Sequence, residues 1–311
     1  MNHSVTVIFV VAVGFQLALQ APINNRLGDR VGRLAAALVS NTVGTAILAV
    51  LFGVVLAIGD VGGTEGPTAL LDVPVWQMAG GLIGAVWVAV SAITIGRIGA
   101  GVVASAAITG QLICSLFVDH FGWVGVEQAS ITSTRLTGAC LLVAGTALVA
   151  RRAPGTGFRA DAEDPPGRHL WSLLVVFMTG LMMGFQHPLN GLLSETVGDV
   201  TSGLLNFVTG TILLLVAVTL SGRAVRLNRV RGVESRYLLG GLVGVVTVIT
   251  SLAAVKVVGA TALAAALITG QLCGSVALDR LGAFGLERRP LTPRRITGLL
   301  LLLAGTVLAV S

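Results

Sequence analysis

Ten stretches of this chain are apolar enough and long enough to cross a lipid bilayer, and they fall into two sets of five. The first set covers about 5–23, 34–58, 75–94, 98–118 and 135–150, the second about 171–193, 202–220, 237–255, 260–278 and 296–310. A crossing takes roughly 20 apolar residues, so ten of them consume most of the 311 positions and leave room for short loops only. The composition agrees, with 54% of side chains hydrophobic and 11% charged, against about 25% charged in a soluble domain. In hydrocarbon the backbone must satisfy its own hydrogen bonds, which leaves helices or a closed barrel, and runs of this length read as helices. The expected fold is an all-α polytopic membrane protein of ten transmembrane helices. Its first stretch follows Met-Asn-His-Ser, with no Lys or Arg, and reads as a permanent helix rather than a cleaved leader.

The second set of stretches repeats the first. Residues 108–127, ITGQLICSLFVDHFGWVGVE, and 268–287, ITGQLCGSVALDRLGAFGLE, share ten identities in twenty at an offset of 160. The same offset places Arg135–Thr146 on Arg295–Thr306 and Gly80-Gly81-x-x-Gly84 on Gly240-Gly241-x-x-Gly244. An offset of 170 aligns Gly14-Phe15-Gln16 with Gly184-Phe185-Gln186, and Gly28-Asp29 with Gly198-Asp199. The organisation expected is a first five-helix repeat over 1–150, a polar linker over 151–170 and a second repeat over 171–311.

Five crossings per repeat is an odd number, so the second copy must enter the membrane from the opposite side. Lys and Arg are retained on the cytoplasmic face, so matching loops should differ in basic content. The first loop of repeat one carries Arg26, Arg30 and Arg33, and its counterpart around Glu195–Asp199 carries none. The second loop has Asp60, Glu65 and Asp72, whereas its counterpart has Arg223, Arg226, Arg229, Arg231 and Arg236. Arg280, Arg288, Arg289, Arg294 and Arg295 face a loop that holds only Arg135. With Arg97 and the linker arginines, 18 of the 20 basic residues fall on one face, and the exceptions are Arg135 and Lys256. The two repeats are therefore expected to be inverted, with the arginine-rich loops cytoplasmic and both termini outside. The charge of +6 reads as membrane topology and not as a nucleic-acid surface, because the basic residues are scattered between apolar runs and stacking aromatics are few.

Inverted repeats recur in secondary transporters, with substrate near the midplane where helices are interrupted by Gly or Pro. The first helix of each repeat fits that description: Gln16, Gln20 and Pro22 in one, Gln186, His187, Pro188 and Asn190 in the other. An amide in hydrocarbon needs a partner, either a neighbouring helix or a ligand in a wet cavity. A single Gln favours the neighbouring helix, whereas a symmetric set favours a ligand. Further candidates are Asn41 and Asn206 beside Ser40, Gln111 and Gln271 in the doubled ITGQL run, and Trp87, whose match Thr247 speaks against a symmetric role.

Charged side chains are expected only at helix ends, so the spans offer no buried carboxylate for proton coupling or for holding a permanent cation. That inventory favours a small neutral or zwitterionic substrate. Asp119-x-x-Gly122 and Asp279-x-x-Gly282, followed by Glu127 and Glu287, read as caps and ion pairs to nearby Arg rather than metal ligands. Cys114, Cys140 and Cys273 lie in apolar runs without metal-ligand or disulfide spacing, no metal or other cofactor is expected, and no GxxxxGK[ST] phosphate loop is present.

The doubled ITGQL run, the Asp-x-x-Gly-x-x-Gly-x-Glu that follows it and the Arg-x-Thr-Gly and Ala-Gly-Thr helix resemble the YdcZ-type family of bacterial inner-membrane proteins in the drug/metabolite transporter superfamily. The resemblance covers almost the whole chain. It implies a ten-helix bundle of two inverted five-helix repeats like that of EamA-type exporters, made here by fusing what other members carry as one half. Small multidrug resistance relatives hold a glutamate in their first helix where this chain has Gln16 and Gln20, so proton-driven drug antiport does not carry over. Many ten-helix members are described with cytoplasmic termini, and the arginine distribution here points the other way. The function expected is secondary transport of a small metabolite across the bacterial plasma membrane, more outward than inward. Its rivals are a non-transporting membrane subunit or sensor and a membrane-embedded lipid-modifying enzyme. The latter would need clustered acids or a nucleophile, and the spans offer His187 alone. A chain holding both repeats can serve as a monomer, and larger assemblies stay open.

Overall fold

Pro22 decides how the chain enters the bundle. Proline has no N–H to offer the carbonyl four residues back, here that of Ala18, and the helix opens at that point. α1 (His3–Leu17) ends on tight bonds from Ala18 N to Phe15 O and from Leu19 N to Gln16 O, and α2 (Gln20–Val31) follows. Together they form one bent crossing, His3–Val31. The computed structural model describes residues 2–58, 73–98, 100–150, 166–221, 234–283, 288 and 290–310. The acidic loop with Asp60, Glu65 and Asp72, the basic stretch Arg223–Arg231, the linker up to Pro165, Glu287, Arg289 and the side chains of Arg97 and Arg168 lie outside the described residues.

The remaining helices are α3 (Arg33–Ile58), α4 (Ala79–Ile98), α5 (Ala100–Phe121), α6 (Ser133–Ala150), α7 (Pro166–Val197), α8 (Asp199–Leu220), α9 (Gly240–Leu281) and α10 (Pro293–Val310). Among the described residues, seven helical stretches are long and apolar enough to cross a bilayer, and Val75–Ser91 and Ser133–Val149 are shorter apolar helices. α9 has 42 residues, about 63 Å at a rise of 1.5 Å per residue, twice the hydrocarbon thickness. Gly259, at φ 78° and ψ 174°, breaks it into two crossings. Only glycine takes that backbone conformation without strain.

Two pairs of helices that match in sequence, α6 with α10 and α3 with α8, pack against each other in opposite directions. On α6 and α10, Gly138 faces Gly305 and Ala309 while Gly145 faces Gly298 and Leu302. Gly138 and Gly298 are equivalent at the 160 offset, as are Gly145 and Gly305. A contact that maps onto itself under this exchange requires a two-fold axis in the membrane plane, and so two inverted halves. α3 and α8 do the same: Gly44 meets the Phe207 ring, Gly210 meets Asn41, and the Thr45 and Thr211 hydroxyls bond at 2.9 Å. Off the axis the pairs come in twos. Gly270 of α9 packs on Val11 and Phe15 of α1, and Gly110 of α5 packs on Phe177 and Leu181 of α7. Small residues let backbones approach where the bilayer offers no hydrophobic force between helices.

The alignments expected at an offset of 170 change. Gly14 packs on Leu267 as Gly180 packs on Ala107, and a Cβ on Gly240 would meet Asn24 as one on Gly80 would meet Asn190. The first crossing therefore matches α7 at 166, with Gln20 and not Gln16 equivalent to Gln186, and Asn24 and not Gln20 equivalent to Asn190. The turn equivalent to Gly198 is Gly32 and not Gly28, because Gly32 (φ 93°) and Gly198 (φ 84°) are the residues in the left-handed conformation there, each receiving the end of one helix and starting the next. α3 and α8 therefore match at 166, as Gly44 to Gly210 shows. Asn41 is thus equivalent to Phe207, and Asn206 to Ser40.

The second arm of α9 lies at the centre, with every residue from Ala260 to Ile268 buried. It packs with Val10 and Val13 of α1 on one side and with Leu112, Leu142 and Leu302 on another. The outer surface carries Ile8, Val50, Ile212 and Val307, the apolar face a lipid-embedded bundle presents.

Candidate functional site

The first helix of each half uses its amides to hold a helix of the other half. Gln16 Nε2 donates to Val243 O (3.2 Å) and Thr247 Oγ1 (3.1 Å), and Gln20 Nε2 donates to Gly240 O (3.1 Å), all on the first arm of α9. In the inverted copy, Gln186 Nε2 donates to Gly80 O on α4 at 3.1 Å. The absent side chains at Gly80 and Gly240 make this approach possible: a Cβ on Gly80 would collide with the Asn190 carboxamide, and one on Gly240 with Asn24. Asn190 itself is buried, and its carbonyl accepts from Ser202 Oγ at 2.8 Å.

Between these latches run α3 and α8. Asn41 Nδ2 donates to Phe207 O (2.9 Å) and Thr211 Oγ1 (3.0 Å). Asn206 is buried where Gly81 of α4 packs on its backbone. Phe207 and Gln20 both approach Gly244, whose missing side chain leaves room for them. Gln16, Gln20, Asn41, Gln186, Asn190 and Asn206 thus belong to one set of seams joining the two halves, with their side-chain N–H groups turned, where a bond is formed, to helix carbonyls or threonine hydroxyls.

The other candidates lie apart. Trp87 packs against Val103, Ala107 and Val176. Gln111 is buried at the α5–α7 seam, where Gly184 packs on its backbone. Gln271 is half-buried on α9, its carbonyl accepting from Ser275. His187 is half-buried immediately before Pro188.

The expected ion pairs are present, Asp119 with Arg135 at 3.2 Å and Asp279 with Arg295 at 2.8 Å. Their full role was not foreseen. Asp119 is 1% exposed and also accepts from Ala260 N (2.8 Å) and Thr261 N (3.0 Å), the first free N–H groups after the Gly259 break. One carboxylate thus joins α5, α6 and the second arm of α9. It lies on a cavity of about 390 Å3 lined by His3, Asp119, Glu127, Arg135, Lys256 and Gly259, among others. The signal for it was in the charge count, since Arg135 and Lys256 are the two basic residues that fall on the face with the termini. Among the described residues no three His, Cys, Asp or Glu side chains gather to hold a metal.

The family model described as "Putative inner membrane exporter, YdcZ" matches residues 5–148 and again 171–308. The chain belongs to the YdcZ family. The Inner membrane protein YdcZ of Escherichia coli (strain K12) is 29% identical over 156 residues, which cover 99% of that protein and 49% of this chain. This family relative therefore has the length of one half. A crystal structure of 16% identity superposes over 99% of this chain and 96% of its own with a TM-score of 0.69, a likeness of fold. The family's description is of an inner-membrane exporter, and the chain is a membrane protein of that family.

Proposed function

We propose that the chain exports a small neutral or zwitterionic metabolite by alternating access, the two halves rocking about the seams between them. The observation that carries this reading is the set of amide latches spanning the halves, Gln16 and Gln20 to α9 and Gln186 to α4. Bonds of this kind in a membrane are worth only about 0.6–2 kcal/mol each, weak enough to exchange for bonds to a substrate as the halves part. The exported molecule meets Gln16, Gln20, Asn41, Gln186, His187, Asn190 and Asn206 at the midplane, and the absence of acids among them suits an uncharged or internally balanced solute. Trp87, Gln111 and Gln271 lie outside this set of amides and have the weaker claim. The chain works in the bacterial plasma membrane as a single polypeptide, since it contains both halves, with no nucleic-acid partner, no cofactor and no enzymatic step. Its arginine-rich loops face the cytoplasm and its termini the exterior.

Purified protein in liposomes tests this. Substrate counterflow that falls when those seven residues are changed to Ala, with the protein still folded in the membrane, supports the reading. Counterflow that survives all seven removes the site. No flux for any metabolite that stabilises the protein favours a sensor or subunit instead. A reporter fused at Ser311 that works only in the cytoplasm overturns the orientation.

A further inference from the structure

We propose that the cavity on the face carrying the termini is a second binding site, specific for a small solute bearing both a carboxylate and an ammonium group. Its volume of about 390 Å3 falls in the range of ligand pockets, about 300–1,000 Å3. Its wall comes from both halves: Asp119, Glu127–Ser130, Thr132 and Arg135 from one, Val255–Gly259 and Val310 from the other. A solute held there touches both moving parts.

The charges select the ligand. Basic residues are disfavoured on the face opposite the arginine-rich loops, yet the two that occur there, Arg135 and Lys256, both line this cavity. Arg135 is fixed, bonded to Asp119 and to Ala129 O. Among the described residues Lys256 pairs with Asp199 at 3.3 Å, both side chains about a third exposed, and such a pair is worth about 1 kcal/mol or less, so a ligand carboxylate can displace it. Glu127 has no hydrogen bond or ion pair among the described residues and is available to an ammonium. With Asp119, Glu127, Arg135 and Lys256 the wall sums to zero, so a solute of one net sign gains from half the wall and is opposed by the other half. A solute carrying both signs gains from both. The turn that leads to Glu127 is strained, with the β-branched Val124 at φ 59° between Gly122 and Gly125, a device found at functional sites.

The test uses the full chain in detergent, with thermal stabilisation as the readout. The probes are L-glutamine and L-phenylalanine, each beside its anionic N-acetyl derivative and its cationic amide. At least one free amino acid should stabilise the protein saturably, with both derivatives about tenfold weaker. Lys256→Gln should weaken the free amino acid about tenfold and leave its amide unchanged, Glu127→Gln should weaken it likewise and leave the N-acetyl form unchanged, and Glu195→Gln on the same face should change nothing. The site is disproved if neither free amino acid saturates, if the derivatives bind as well, or if Glu195→Gln loses as much as the cavity variants. Gln186→Ala, in the seams at the midplane, should leave the free amino acid's stabilisation unchanged; a loss there as large as that of Lys256→Gln or Glu127→Gln assigns the binding to the midplane and disproves the cavity site. Because binding is read without flux, failure of this site and failure of the export reading are separate results.

Discussion

Asp119 shows what one side chain can settle in a low-dielectric interior. It satisfies Arg135 and two N–H groups at the start of the second arm of α9, so its loss leaves a buried cation and an uncapped helix. Removing one partner of a buried ion pair costs about 3–5 kcal/mol, and Asp119→Ala should lower the unfolding free energy in detergent by an amount of that order, read as a fall in unfolding temperature. Replacing both Asp119 and Arg135 by Leu should recover part of it but not all, because the α9 N–H groups stay unpaired. The latch amides belong to the same scale with the opposite expectation. Gln186→Leu removes one bond to Gly80 O and should cost about 1 kcal/mol or less. If Gln186 contacts substrate, flux in liposomes falls well beyond what that small loss explains, and unchanged flux assigns it to helix packing alone. The residue types were legible in advance, but their partners were not. Gln16 faces Val243 and Thr247 across 227 and 231 positions of chain, and no local pattern encodes such a pairing.

Helices here meet through glycine, and that sets how much change each seam tolerates. A Cβ on Gly138 would come 2.6 Å from Ala309 N and 2.7 Å from Gly305 O. Those are backbone atoms of the facing helix and cannot turn aside like a side chain, so Gly138→Ala and Gly305→Ala should each cost about 1–3 kcal/mol, measured by thermal unfolding. Gly53, which has open space around the added carbon, should tolerate Ala with no loss. Most element boundaries followed from hydropathy within a few residues, because leaving the bilayer is a change of solvent that composition registers, but the first crossing runs on to Val31, eight residues past its expected end, through the polar turns after Pro22. The α3–α8 register did not follow. Aligning Gly28 with Gly198 was reasonable from Gly-Asp dipeptides, but the turn is defined by which glycine adopts positive φ, and Gly32 does so.

The whole molecule is two copies of one five-helix unit sharing an axis through α6–α10 and α3–α8. Because every major seam joins a helix of one half to a helix of the other, residues 1–150 and 151–311 expressed as separate chains should find each other, and affinity capture of one should bring down the other. Recovery of either half alone would mean that covalent linkage, and not the seams, holds them together. The length of the Escherichia coli relative, matched over 99% by about half of this chain, fits an independent half. The sequence by itself determined that this is a helical membrane protein built twice and upside down, because hydropathy, an odd number of crossings and the sorting of arginine are properties of the chain against a bilayer and need no knowledge of neighbours. Only the tertiary structure decided which carbonyl each amide would meet, that a 42-residue helix would break at Gly259 and be capped from another helix by Asp119, and that the two stray cations would line one cavity. Those outcomes depend on contacts between residues over a hundred positions apart, and they are fixed by how closely the helices pack rather than by anything in their own segments.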